Sequence, residues 1–175
     1  NTSIRSDLKW TDDYRTELAY NTGVPAADAA NARITEVSSF TLLDMRADTR
    51  RDHPFLVWEP FEGERQTWTY GQFRDRVLRL AAGLQVRGVK AGDHVLVHLD
   101  NSPEMEILWF ACARLGAVVV TTNTRSAGAE LEYFADNCKA VAAITQPEYA
   151  ELVAQNVKSV RWLAVTEHLA DGSPA

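Results

Sequence analysis

Three short polar stretches hold the residue types that could do chemistry in this chain: Asp100-Asn101-Ser102, Thr121 to Arg125, and Thr145-Gln146. They offer carboxamides, hydroxyls, one carboxylate and one guanidinium. Such a set can orient a polar ligand, and Arg125 could meet an anion, but it contains no nucleophile paired with a base. His94 and His98 stand at even spacing on one predicted strand and so share a face. A catalytic zinc wants three protein ligands, and no third lies in sequence reach. Arg74, Arg76 and Arg79 fall on one predicted helix, where they read either as a phosphate contact or as a solvated face with local ion pairs. Cys112 and Cys138 have no metal spacing and read as reduced, buried thiols. No G-x-G-x-x-G follows a strand, and there is no glycine loop with lysine and no G-x-S-x-G elbow.

The elements that must position these stretches centre on Gly88 to Asn123. His94 to Leu99 is a β-branched run entered through Gly92-Asp93, Ser102 to Leu115 is a helical run stopped by Gly116, and Ala117 to Thr122 is a second strand. This is a βαβ unit. The second strand barely alternates, which predicts a central strand covered on both faces. The helix between them is apolar nearly all round, from Met105 through Trp109 and Phe110 to Leu115. That predicts burial on every side, under another layer, a second subunit or further sequence.

Around this unit the pattern gives a short helix from Asp12 to Tyr20 and a loop from Asn21 to Arg33. A helix opened by Thr41 and closed at His53-Pro54 comes next. A hairpin follows, Phe55 to Glu59 with Gln66 to Thr69. Thr69 and Gln72 form a capping box for a helix striped with Phe73, Val77, Leu80 and Leu84. A helix from Ala129 to Asn137, a strand at Ala140 to Thr145, a helix from Gln146-Pro147 to about Gln155 and a strand at Val160 to Val165 complete the order. Strands alternating with helices predict an α/β fold: a doubly wound, mostly parallel sheet with flanking helices, plus an N-terminal helix and β-hairpin. In such sheets the ligand crevice lies outside the carboxyl ends of the strands, where the three polar stretches fall.

The net charge of −6 over 175 residues argues against a nucleic-acid partner. No apolar run approaches the ~20 residues that span a bilayer, and the polar start does not read as a signal peptide, so a cytoplasmic setting is expected.

The order of signals resembles the N-terminal portion of the ATP-dependent acyl-CoA synthetases, in the adenylate-forming superfamily. Phe40 to Asp44, Thr69 to Phe73, Ala81 to Leu84 with Gly88-Val89 and Gly92 to Val95, Asn101 to Glu104, Leu115 to Val119 with Asn123 and Arg125, and Glu130-Leu131 with Asp136 each resemble a family motif. All stand in order. The chain departs from the family at Thr121, Thr122 and Thr124, where many members have prolines, and Gln146 to Gln155 carries no basic residue for coenzyme A.

The resemblance implies an AMP-forming acid–thiol ligase. A carboxylic acid substrate would attack ATP in the presence of Mg²⁺, giving an acyl-adenylate whose acyl group passes to coenzyme A. It also implies that residues 40–169 are the N-terminal subdomain of such a ligase, with residues 1–39 an extension and 170–175 a tail or linker. The phosphate loop and the catalytic residues would then lie elsewhere, so no catalytic residue and no metal ligand is named, and this chain alone is expected to be inactive and to bind none of these cofactors. Asn123 and Arg125 are expected to line the ligand crevice. A homodimer and a contact with a C-terminal portion both stay open as partners. The alternative reading is a non-catalytic, flavodoxin-like binding or interaction module.

Overall fold

Strand β3 (His94–His98) is the axis of the structure, a computed structural model that describes residues 38–60 and 63–167. It is entered through a turn in which the Lys90 N–H donates to Asp93 Oδ2 at 2.9 Å. It pairs in parallel with β4 (Val118–Thr121) on one side, His94 opposite Val118, and with β5 (Ala142–Thr145) on the other, Val95 opposite Ala142. β6 (Trp162–Val165) adds to β5, so the order is β4-β3-β5-β6, all parallel. After β4 the chain returns past β3 to lay down β5, so β3 is where the direction of winding reverses.

Alternation along β3 feeds two cores. Val95 and Val97 belong to a core shared with α1 (Ser39–Thr49), α2 (Tyr70–Val86) and α3 (Pro103–Leu115). Leu96 belongs to a second core with α4 (Gly128–Cys138) and α5 (Ala150–Asn156). The expected doubly wound parallel sheet is therefore present, and so are the preceding helix and hairpin. The hairpin pairs β1 (Pro54–Trp58) with β2 (Gln66–Thr69) and docks through Phe55, whose ring lies 4.6 Å from Phe73 and 5.8 Å from Phe110. No described helix is long and apolar enough to cross a membrane.

The capping signals explain where the helices start. Thr69 Oγ1 accepts from the Gln72 N–H at 3.2 Å while Gln72 Oε1 accepts from the Thr69 N–H at 3.0 Å. Ser102 Oγ accepts from the Met105 N–H, Pro103 opens α3, and Gly116 closes it at φ 70°, a left-handed conformation that glycine adopts without strain.

Three expectations need correction. β4 is an edge strand among the described residues, with Val118 43% exposed; β-branched composition marks a strand but does not place it in the order. On α3, Ile107, Leu108, Ala111 and Cys112 are buried between the sheet and α1 and α2, while Trp109 is 51% exposed beside exposed Glu106, so the described residues do not themselves supply the cover expected for that face. α1 begins at Ser39, so Thr41 lies inside its first turn, and the helix stops at Thr49, ahead of a turn closed by His53 N–H to the Arg50 carbonyl. Gln146-Pro147 leads into a 3₁₀ turn, Pro147–Tyr149, with α5 beginning at Ala150. The Asp12–Tyr20 helix, the Asn21–Arg33 loop and the tail at 170–175 lie outside the described residues.

Candidate functional site: the crevice at the carboxyl ends of the strands

The three polar stretches converge at the carboxyl ends of β3, β4 and β5, tied together by Asp100. Its backbone N–H donates to Gln146 Oε1 at 2.8 Å, and Gln146 Nε2 donates back to Asp100 Oδ2 at 3.1 Å. Tyr149 OH also donates to Oδ2, at 2.9 Å, and Thr124 Oγ1 donates to Oδ1 at 2.8 Å. One carboxylate thus holds the loops after all three strands. The 3₁₀ turn brings Tyr149 back over the strand ends; burial, then its bond to Asp100, pushes its phenol above the usual value.

Beneath this hub lies His98, 0% exposed. Its Nδ1 is 2.8 Å from Thr122 Oγ1, which also sits 3.2 Å from the Val97 carbonyl, and its carbonyl accepts from Thr145 Oγ1 at 2.9 Å. The Tyr149 ring meets the imidazole edge-on at 5.0 Å. Nε2 is buried with no hydrogen-bond partner. A second ring proton would have no acceptor there, and burial holds the imidazole pKa below its ordinary value against the opposing pull of Asp100.

Asn123 and Arg125 sit on the loop after β4 and have different tasks. Asn123 Oδ1 accepts from the Arg125 N–H at 2.9 Å and its carbonyl accepts from the Ser126 N–H at 2.9 Å, an Asx turn. The carboxamide oxygen is spent on the turn. The Arg125 side chain is exposed. Thr124 between them anchors the loop to Asp100.

Sequence reasoning missed the tethers. Thr122 and Thr124 stand out only as departures from prolines in the resembled family, and the structure gives each a hydroxyl bond that proline could not make, to His98 and to Asp100. Tyr149 had no sequence signal. His94 shares a face with His98 but lies four residues away, about 13 Å at the usual strand rise, too far to share one ion. No cluster of three or more His, Cys, Asp or Glu that could hold a metal occurs among the described residues. The helix arginines divide: Arg74, 16% exposed at its side chain, pairs with Asp48 at 2.6 Å and Asp44 at 3.3 Å, whereas Arg76 and Arg79 make no ion pair among the described residues.

Open α/β sheets bind ligands outside the carboxyl ends of their strands, at the point where winding reverses, and comparison with known proteins gives the chain a family. The AMP-binding enzyme family model matches residues 43–173. The chain belongs to that family. Its curated relatives include the crotonobetaine/carnitine–CoA ligase of Proteus mirabilis (strain HI4320), 32% identical over 97 residues, which are 55% of this chain and 19% of that protein. The Salmonella typhi protein of the same name is 31% identical over 109 residues, 60% of this chain and 21% of its own length. The chain therefore spans about a fifth of the length of the curated relatives it matches. Among solved structures, the inhibitor-bound N-terminal domain of FACL13 from Mycobacterium tuberculosis superposes with a TM-score of 0.67 at 26% identity, over 74% of this chain and 33% of that one. A benzoate CoA ligase from Burkholderia xenovorans LB400 superposes with a TM-score of 0.66 at 22% identity, over 79% of this chain and 29% of that one, which speaks to the fold alone.

Proposed function

We propose that these residues form the first α/β layer of an AMP-forming acyl-CoA ligase, working in a cytoplasmic setting. The carboxylate of an organic acid attacks the α-phosphorus of ATP, releasing pyrophosphate and leaving an acyl-adenylate. The coenzyme A thiol then attacks the acyl carbon and AMP departs, with the thiol proton lost to solvent or base. The observation that carries this reading is the loop after β4, pinned by Thr124 to Asp100 at the carboxyl ends of the strands; Arg125 on that loop would meet an anionic part of the substrate. The family match supports the reaction type.

Within that reaction the described residues bind and orient. Asp100 already carries three donors, so it is not available as a free base or as a ligand for Mg²⁺. The Mg²⁺ that the family implies therefore does not fit here, and no step is routed through it. Arg125 would neutralise phosphate or carboxylate charge, and Asn123 would keep the loop in the turn that presents it. The acid is left at its class, a carboxylic acid, because no described residue discriminates a fatty from an aromatic or carnitine-type acid.

The test is a chimera in which residues 39–167 replace the matching stretch of the Proteus ligase. Acid-dependent exchange of pyrophosphate into ATP should persist. Its loss in a chimera that melts cooperatively would refute the proposal. The 175-residue chain alone should bind ATP no tighter than about millimolar by calorimetry, or −4 kcal/mol; micromolar binding would mean phosphate contacts lie within it.

A further inference from the structure

The groove between α2, α3 and β6 lies on the opposite face of the sheet from α4 and α5. Parallel sheets are covered on both faces. α4 and α5 cover one, while on the other, among the described residues, α3 and α2 bury β5 and leave β6 partly open. The result is a groove of about 450 Å³ whose still accessible apolar lining is half-buried Leu80 and Ala164 and exposed Val165, over buried Leu99, Ile107 and Ile144. Trp162 also lines it, held by its Nε1–H to the Arg87 carbonyl at 3.2 Å.

Its wall is one stripe of α2, and that stripe is basic. Arg76, Arg79 and Arg87 line it, and none of them pairs with a carboxylate among the described residues. Arg87 Nη1 reaches only the Gly83 carbonyl, at 3.4 Å. Glu104 and Glu167 stand among the other lining residues. Concentrating three arginines on one wall of a protein whose net charge is −6 sets up a local field for an anion.

Gly83 is the independent observation. It lies inside α2, where glycine costs about 1 kcal/mol relative to alanine. Among the described residues nothing demands it: a Cβ there would meet only Arg87 Nη1, at 3.8 Å. A glycine that these residues do not need keeps the wall low between Arg79 and Arg87, where another backbone could come close.

We infer that this groove seats an acidic amphipathic helix supplied by polypeptide outside these 175 residues, its apolar stripe on Leu80 and the β6 residues Ala164 and Val165 and its carboxylates against Arg76, Arg79 and Arg87. A helix suits the site because it brings its own backbone hydrogen bonds to an apolar floor, and the long apolar face of such a helix is what helix-in-groove recognition uses. This goes beyond the ligase reading and does not depend on it, since the test measures no ligase activity.

The experiment uses the purified chain and a labelled amphipathic peptide of roughly four turns, leucines on one stripe and glutamates on its flanks. Anisotropy should show saturable binding that weakens with salt. The same peptide with lysines replacing the glutamates should bind at least about tenfold more weakly, as should the acidic peptide to R76E/R79E. Gly83→Leu should reduce affinity comparably while the chain still melts cooperatively. Gly83→Ala should weaken binding while raising the melting temperature, a split that a purely structural glycine would not produce. Equal binding of both peptides, binding untouched by R76E/R79E, or no binding by either peptide would overturn the inference. So would self-association abolished by Gly83→Leu, which would make a second copy of the chain the occupant.

Discussion

Asp100 and Gln146 grip each other through two hydrogen bonds, one from the Asp100 backbone and one from the Gln146 amide, across the parallel pair β3 and β5. Gln146 is 2% exposed, so these bonds stand in for water. Replacing Asp100 with alanine leaves Gln146 Nε2, Tyr149 OH and Thr124 Oγ1 without their shared acceptor. Buried donors left unsatisfied cost about 1–3 kcal/mol. D100A should therefore lower unfolding free energy by about 2 kcal/mol in urea, with amide exchange quickening in all three loops together. A change confined to the Asp100 loop would contradict the hub.

His98 gives the fold a pH dependence of defined sign. Burial lowers its pKa in the folded chain, with Asp100 the charge that opposes the shift and Tyr149 and Thr122 its neutral neighbours. The unfolded chain binds that proton near the ordinary 6.5. Unfolding thus takes up a proton between the lowered value and 6.5, and stability falls as pH drops through that window and is fully present above it. His98→Asn keeps a group beside Thr122 and cannot titrate. Urea midpoints from pH 7.5 down to pH 5 should slope less for H98N than for the parent. Parallel slopes would show that other groups set the dependence.

How much of this could be read in advance divides along the range of the interactions. The capping box, the Ser102 cap, the helix stop at Gly116 and the βαβ order are written within a few residues, so Thr69, Gln72, Ser102 and Pro103 announce them. Strand order is set by contacts far apart in sequence, which is why Val118 to Thr121 read as central and lie at the edge. The same holds for the crevice. Asn123 and Arg125 were legible as loop residues at a strand end, but the bonds from Thr124 to Asp100 and from Thr122 to His98 span 24 residues each. Only the register of β3 against β4 brings them together. α3 shows the limit from the other side: its apolar surface is legible in sequence, with Trp109 half exposed, but what covers that face is not written within the helix.

The two thiols should separate by reactivity. Cys112 is fully buried on α3 and burial pushes its thiol up to about 11, whereas Cys138 is half-buried at the end of α4, its pKa also raised. The thiolate is the reactive form, so both are slow and Cys112 is the slower. Iodoacetamide at pH 8 followed by mass spectrometry should label Cys138 first, with Cys112 labelled only on the timescale of unfolding. Early labelling of Cys112 would mean that α3 opens without global unfolding.

The division of labour on the β4 loop predicts opposite phenotypes two residues apart. Asn123 Oδ1 closes the turn on the Arg125 N–H, so Asn123→Ala removes an acceptor and the Asx turn with it, costing about 1 kcal/mol. Asn123→Asp keeps the acceptor and should be nearly neutral. Arg125 is exposed with its guanidinium outside the turn, so Arg125→Ala should stay within about 0.5 kcal/mol of the parent. In the Proteus chimera the order reverses. R125A should raise the KM of an anionic substrate, because a charge-assisted contact is lost, while N123D should leave it near the parent value. If R125A destabilises the isolated chain as much as N123A does, Arg125 is a structural residue of the loop, and its assignment to the crevice falls.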